Sequence, residues 1–120
     1  MTGTSLDAVV VPVRETDGET IDAFGPAGER KLSDDVRKLV LAATEAAREW
    51  PRDAPEPEIF AQAARAVAEE HLAAAAPFLE KNGLTWADLD LIGMHGQTVL
   101  HERPTDGRPG RTVQLGDAAW

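Results

Sequence analysis

The sequence predicts an α/β protein, a mixed β-sheet with flanking helices, and three observations carry that expectation. Two β-rich stretches near the front are separated by Asp17-Gly18, a strong hairpin-turn pair. Two long segments in the middle repeat apolar residues at steps of three and four, the period of a helix. Two further apolar stretches follow, each running into a glycine and a polar residue. The expected order is strand, strand, helix, helix, strand, strand, with glycine-polar clusters at strand ends.

Residues 9–13, "VVVPV", are β-branched around one proline and read as a strand. Pro12 has no N–H to give to a ladder, which places part of that strand at an edge. After "ETDGET" a second short strand over residues 21–24 pairs back antiparallel, and "GPAGERKL" reads as a loop. Ser33 is a helix N-cap, with Asp34 and Asp35 suited to the positive end of the dipole. Val36, Leu39, Val40, Ala43, Ala47 and Trp50 form one apolar stripe, and that helix stops before Pro51. "PRDAPEPE" is a proline-rich charged connector. A second helix over residues 58–81 buries Ile59, Phe60, Ala63, Val67, Ala74 and Phe78. Pro77 should kink it, and Asn82-Gly83 stops it. Thr85 caps a short turn leading to a buried strand over residues 89–94, which ends at His95-Gly96. Residues 102–111 form a turn-rich basic loop, and "TVQLGDAAW" is one more strand turning into a helix.

With 120 residues the chain is one domain at most. Twelve basic residues against 21 acidic ones leave a net charge of −9, which argues against nucleic acid as a partner. A small anionic ligand is still allowed, because backbone N–H groups can hold it without basic side chains. There is no cysteine, so disulfides and thiolate metal sites are excluded. Neither a run of membrane-spanning length nor a secretory leader pattern is present, which points to the cytoplasm and away from a membrane.

Three clusters could carry chemistry. In Gly3-Thr4-Ser5-Leu6-Asp7, two hydroxyls and the backbone N–H groups around a glycine make a concave donor set suited to phosphate oxygens. Asp7 could hold a hydrated Mg²⁺ or order a water. The same residues also make ordinary tight turns, and the spacing is not that of a P-loop. In "MHGQTVLH", His95, Gly96, Gln97 and Thr98 follow the predicted strand end, and Gln and Thr both donate to and accept from sugar hydroxyls. His95 and His101 lack a third metal ligand, and His71 reads as a helix-face residue. In "QLGDAAW", Asp117 is a candidate N-cap for a helix from Ala118.

Taken in order, the clusters resemble one family. "MTGTSLDAV" is similar to M-S-G-T-S-x-D-G-V/I, "IGMHGQTVLHERP" to I-G-S/C-H-G-Q-T-V/I-x-H-x-P, and "TVQLGD" to T-L/M-Q-I/L-G-D. These are motifs of anhydro-N-acetylmuramic acid kinase, a sugar kinase of the actin, hexokinase and Hsp70-like ATPase superfamily. The resemblance implies a partial N-terminal domain of a ribonuclease H-like ATPase fold over residues 1–120. It is expected to be incomplete at both ends, lacking the first strand and the C-terminal half. It also implies ATP-dependent opening of the 1,6-anhydro ring of 1,6-anhydro-N-acetylmuramic acid, with phosphorylation at O6, in cytoplasmic peptidoglycan recycling. ATP and Mg²⁺ are the implied cofactors, that sugar the small-molecule partner, and a homodimer the full-length state.

By the same resemblance Gly3, Thr4, Ser5, Leu6, Asp7, Ala8, Val9 and Val10 form the ATP turn, with Asp7 toward the metal. His95, Gly96, Gln97 and Thr98 lie toward the sugar, and Gly116-Asp117 has no assigned role. The catalytic aspartate of the family belongs to a later segment, so an inactive fragment is expected. The alternative is a non-catalytic binding or assembly module. Two residues depart from the motif. Thr2 stands for the family serine, and Ala8 for a glycine, which would be strained if that position needs a positive φ.

Overall fold

The computed structural model describes Leu6 and residues 8–117, with the side chains of residues 22–24 set aside. The α/β class and the element order are as expected, and the strands form two separate two-stranded antiparallel sheets. Strand β1 (Ala8–Thr16) pairs with β2 (Ile21–Lys31), helices α1 (Asp34–Glu49) and α2 (Glu58–Lys81) follow, and β3 (Gln97–Glu102) pairs with β4 (Arg111–Leu115). The two helices pack together. Helix α2 touches β1, β2 and β4, and α1 touches β3, so the helical pair carries both hairpins.

The helices follow their sequence signals closely. The Ser33 hydroxyl accepts from the Val36 N–H, and Val40, Ala43 and Ala47 are buried along α1. On α2 the buried stripe includes Phe60, Ala63, Val67, Ala74 and Phe78. Phe60 is 1% exposed and meets the Trp50 indole edge-on at 5.5 Å. Burying a ring of that size is worth about 2–3 kcal/mol. Helix α2 closes with Leu84 N–H donating to the Leu79 carbonyl at 2.8 Å and Gly83 N–H to that of Glu80 at 3.1 Å. That pair of bonds satisfies carbonyls left over at a helix end.

Pro77 lies inside α2, and the helix runs through it. A proline has no N–H for the carbonyl four residues earlier, here that of Ala73. Arg30 of β2 fills the gap, its Nη1 donating to the Ala73 oxygen at 3.0 Å. The connector "PRDAPEPE" is likewise more ordered than its composition suggests. The Trp50 Nε1–H donates to the carbonyls of Ala54 and Pro55, each at 3.1 Å, so the chain wraps the indole.

Two predicted elements are corrected. Strand β2 continues through "GPAGERK", the segment expected to be a loop. Gly and Pro are poor strand residues, but β1 is long enough to pair the whole segment, and the register shifts between Pro12↔Ala27 and Arg14↔Phe24. Gly25 and Pro26 therefore face Val13 alone, a bulge that needs no ladder bond from the proline. The second correction is larger. Residues 89–94 form no strand, and Leu91 and Ile92 are 87% and 62% exposed. The β-structure lies instead at Gln97–Glu102, where "TVLHE" finds a partner in "RTVQL". Apolar character alone makes residues 89–94 strand-like, but a strand needs a hydrogen-bonded neighbour, and β3 and β4 take each other. Trp86–Asp88 form a single 3₁₀ turn, with the Thr85 N–H donating to the Asp88 carboxylate at 2.7 Å. Among the described residues no helix is long and apolar enough to cross a membrane.

Candidate functional site

The second and third sequence clusters meet at the root of the β3–β4 hairpin. Gln97 pairs with Leu115 and Thr98 with Gln114, which sets the His95–Thr98 segment beside Leu115-Gly116. Gly96 has φ +74°, and any Cβ there would collide with the Leu115 carbonyl oxygen. A Cβ on Gly116 would come within 3.3 Å of both the Gly96 Cα and the Met94 Cε. The two motif glycines thus let two backbones approach more closely than side chains permit. The position of the cluster is corrected with the strand. His95 and Gly96 precede β3 and Gln97 and Thr98 open it, so none of them follows a strand over residues 89–94.

The side chains here divide by role. Gln97 is 5% exposed, the one buried polar residue among those described, with its Nε2 directed to the Thr98 carbonyl at 3.5 Å. Thr98 and His95 are exposed and present a hydroxyl and an imidazole to solvent. His101, further along β3, is exposed and bonds through Nδ1 to the Thr112 hydroxyl at 3.0 Å, which ties it to the hairpin. Asp117 is half-buried, and its expected helix from Ala118 lies outside the described residues.

His71 lies on a face of α2, as expected from the sequence, and that face is half-buried. Its Nδ1–H donates to the Val67 carbonyl at 2.7 Å; a carbonyl can only accept, so Nδ1 carries the proton. Its Nε2 and the Glu70 Oε2 are buried with no hydrogen-bond partner. Burial pushes the His71 imidazole below its ordinary value, and the hydrogen bond to the Val67 carbonyl acts the other way. Residue 71 continues the 60, 63, 67, 74, 78 stripe in sequence.

At the front, Gly3, Thr4, Ser5 and Asp7 lie outside the described residues. Leu6 is described, with a positive φ of 55° and 6% exposure. A left-handed leucine is costly, and such strain persists where the surroundings enforce it. Ala8 opens β1 opposite Lys31 and is not among the positive-φ residues, so the expected strain falls on Leu6 instead. Val9 is fully buried, and Val10 is 39% exposed. Among the described residues no three His, Asp or Glu side chains cluster to hold a metal ion.

A family model described as anhydro-N-acetylmuramic acid kinase matches residues 1–120. Proteins of that name are similar along nearly the whole chain. The one from Phenylobacterium zucineum is 70% identical over 118 residues, covering 98% of this chain and 32% of the relative. The one from Caulobacter vibrioides is 65% identical over the same shares, and that from Rhizobium rhizogenes 45%. The chain spans about a third of the length of the curated relatives it matches. The match from end to end, on a chain whose HGQT and QLGD glycines touch, establishes that it belongs to the anhydro-N-acetylmuramic acid kinase family.

Proposed function

We propose that these residues are the N-terminal portion of an ATP-dependent kinase that opens the 1,6-anhydro ring of 1,6-anhydro-N-acetylmuramic acid and phosphorylates O6. The contact of Gly96 with Leu115-Gly116, which draws two of the three motifs into one place, is the observation that supports this reading most. In it, Gly3, Thr4, Ser5 and Leu6 would hold the phosphates through hydroxyl and backbone N–H groups, and Asp7 would hold a hydrated Mg²⁺. Bound there, ATP would supply the phosphoryl group and Mg²⁺ would neutralise its charge. Ala8 and Val9 shape the turn from within the ladder, and Val10 borders it. His95 and Thr98 read sugar hydroxyls, while buried Gln97 fixes the strand that presents them. The family aspartate that activates water comes from beyond these residues, so the 120-residue chain alone does not turn over. Cytoplasmic location and a homodimeric full-length state complete the proposal.

The test is a chimera in which this chain replaces the corresponding third of the Phenylobacterium zucineum relative. Phosphoryl transfer from ATP to the anhydrosugar is expected from the chimera and not from the chain by itself. Thr98→Val in the chimera should lower kcat/KM about tenfold, a loss of ~1.4 kcal/mol, with Tm unchanged because Thr98 is exposed. A folded chimera without activity refutes the assignment.

A further inference from the structure

The other end of the β3–β4 hairpin carries a feature the kinase reading does not use. Four of the nine arginines, Arg52, Arg103, Arg108 and Arg111, line one cavity of about 420 Å³. Glu102 is the one carboxylate among its lining residues, which leaves a surplus of three positive charges on a chain whose net charge is −9. The paired half of the cluster is rigid. Arg111 meets Glu102 through Nε at 2.9 Å and Nη2 at 2.8 Å, donates from Nη2 to the Trp50 carbonyl at 3.1 Å, and lies 5.0 Å from the centre of the Trp50 ring. Arg52 reaches the same carboxylate at 3.1 Å. The Arg111 Nη1 is buried with no acceptor.

The other half is unneutralised. Arg103 and Arg108 make no ion pair among the described residues, although their backbone is ordered. Thr105 and Arg108 exchange two backbone hydrogen bonds, at 3.0 and 2.9 Å, which fixes the turn at the mouth of the cavity. We propose that this cavity is a binding site for a small oxyanion, with a phosphate group as its best-fitting occupant. Guanidinium forks match the geometry of phosphate and carboxylate oxygens, which is why arginine is favoured where such groups are recognised. A nucleic acid is disfavoured, because the charge is gathered in one hollow rather than along a stripe. The site is separate from the His95–Thr98 region. Glu102↔Arg111 and Gln97↔Leu115 are opposite ends of the ladder, five residues and about 17 Å apart. It does not rest on the kinase reading.

The experiment titrates inorganic phosphate into the 120-residue chain at low ionic strength, following the Trp50 indole N–H and the Arg103 and Arg108 amides by NMR. Saturable shifts are expected, with a millimolar Kd. The double variant Arg103→Gln/Arg108→Gln should weaken binding at least ~tenfold. Arg37→Gln/Lys38→Gln, an equal loss of exposed charge at the far end of α1, should leave it unchanged. Acetate is expected to compete less well than phosphate, and equal competition would overturn phosphate as the best-fitting occupant. Shifts still linear at about 50 mM phosphate would overturn the proposal, as would equal weakening by the control variant.

Discussion

The two hairpins are built from the same unit, an antiparallel strand pair packed on helices, and they are held in different ways. The β1–β2 hairpin is long and anchored mainly at its base, where Val9 is fully buried, while Val10 and Ile21 are exposed. Its tip is stabilised locally, with the Asp17 carboxylate accepting from the N–H groups of Thr20 and Glu19 at 2.8 and 2.9 Å. Those bonds, that from Thr20 first, hold the carboxyl below its ordinary range. The β3–β4 hairpin is short and clamped at both ends, by the glycine contact at its root and by Arg111, Glu102 and Trp50 near its tip. A ladder fixed at two points holds its side chains in one geometry, as the role proposed for His95 and Thr98 requires. A ladder fixed at one point leaves its far end free to adjust.

The comparison is sharpened most by a matched pair of glycine substitutions. Gly96→Ala adds both a left-handed penalty and a collision with the Leu115 carbonyl, and should cost about 3 kcal/mol by denaturant unfolding. Next comes Arg111→Met, which leaves Glu102 with Arg52 as its remaining ion-pair partner and frees the Trp50 carbonyl. It should lower Tm and uncover the connector around Trp50 to amide exchange, leaving β1–β2 protection unchanged. Gly18→Ala also has a positive φ, +98°, with nothing within 4 Å of the new Cβ, so its cost should be only about 1 kcal/mol. If both glycine substitutions cost the same, the close approach at Gly96 contributes nothing and the two-point clamp is wrong.

The smallest expected effect concerns α2, which supports both hairpins. The folded chain holds His71 below its ordinary value of 6.5. The unfolded chain therefore binds that proton first as pH falls. Stability from this residue is complete above pH 6.5 and declines as pH drops toward the lowered folded value. His71→Gln should flatten the dependence of Tm on pH just below that point, and an unchanged slope would show the imidazole to be freely hydrated.

Local signals were legible in the sequence and long-range ones were not. Ser33, the apolar stripes and Asn82-Gly83 marked both helices, because caps and periodicity act within a few residues. The apolar run at 89–94 misled because hydrophobicity says that a segment can pair, not which segment its neighbour chooses. The extension of β2 was hidden by Gly25 and Pro26, whose unsuitability a bulge removes. Of the candidate site, the motifs gave the residue types, while the meeting of Gly96 with Gly116 depends on hairpin register. The Arg111–Trp50 contact joins residues 61 apart in sequence, beyond any local rule. The linear order also placed His71 on a face of α2, in step with its stripe.

Pro77 shows how a local fault becomes a tertiary fastening. The ring withholds a donor from Ala73, and a guanidinium from the neighbouring sheet takes up the vacancy. Replacing that proline with alanine would look like a repair on helix propensity alone. The mended helix would compete with Arg30 for the Ala73 oxygen, so the gain in α2 would come with a looser tie to the first hairpin. Engineering that treats every interior proline as a defect would, in this chain, undo one of the knots joining helix to sheet.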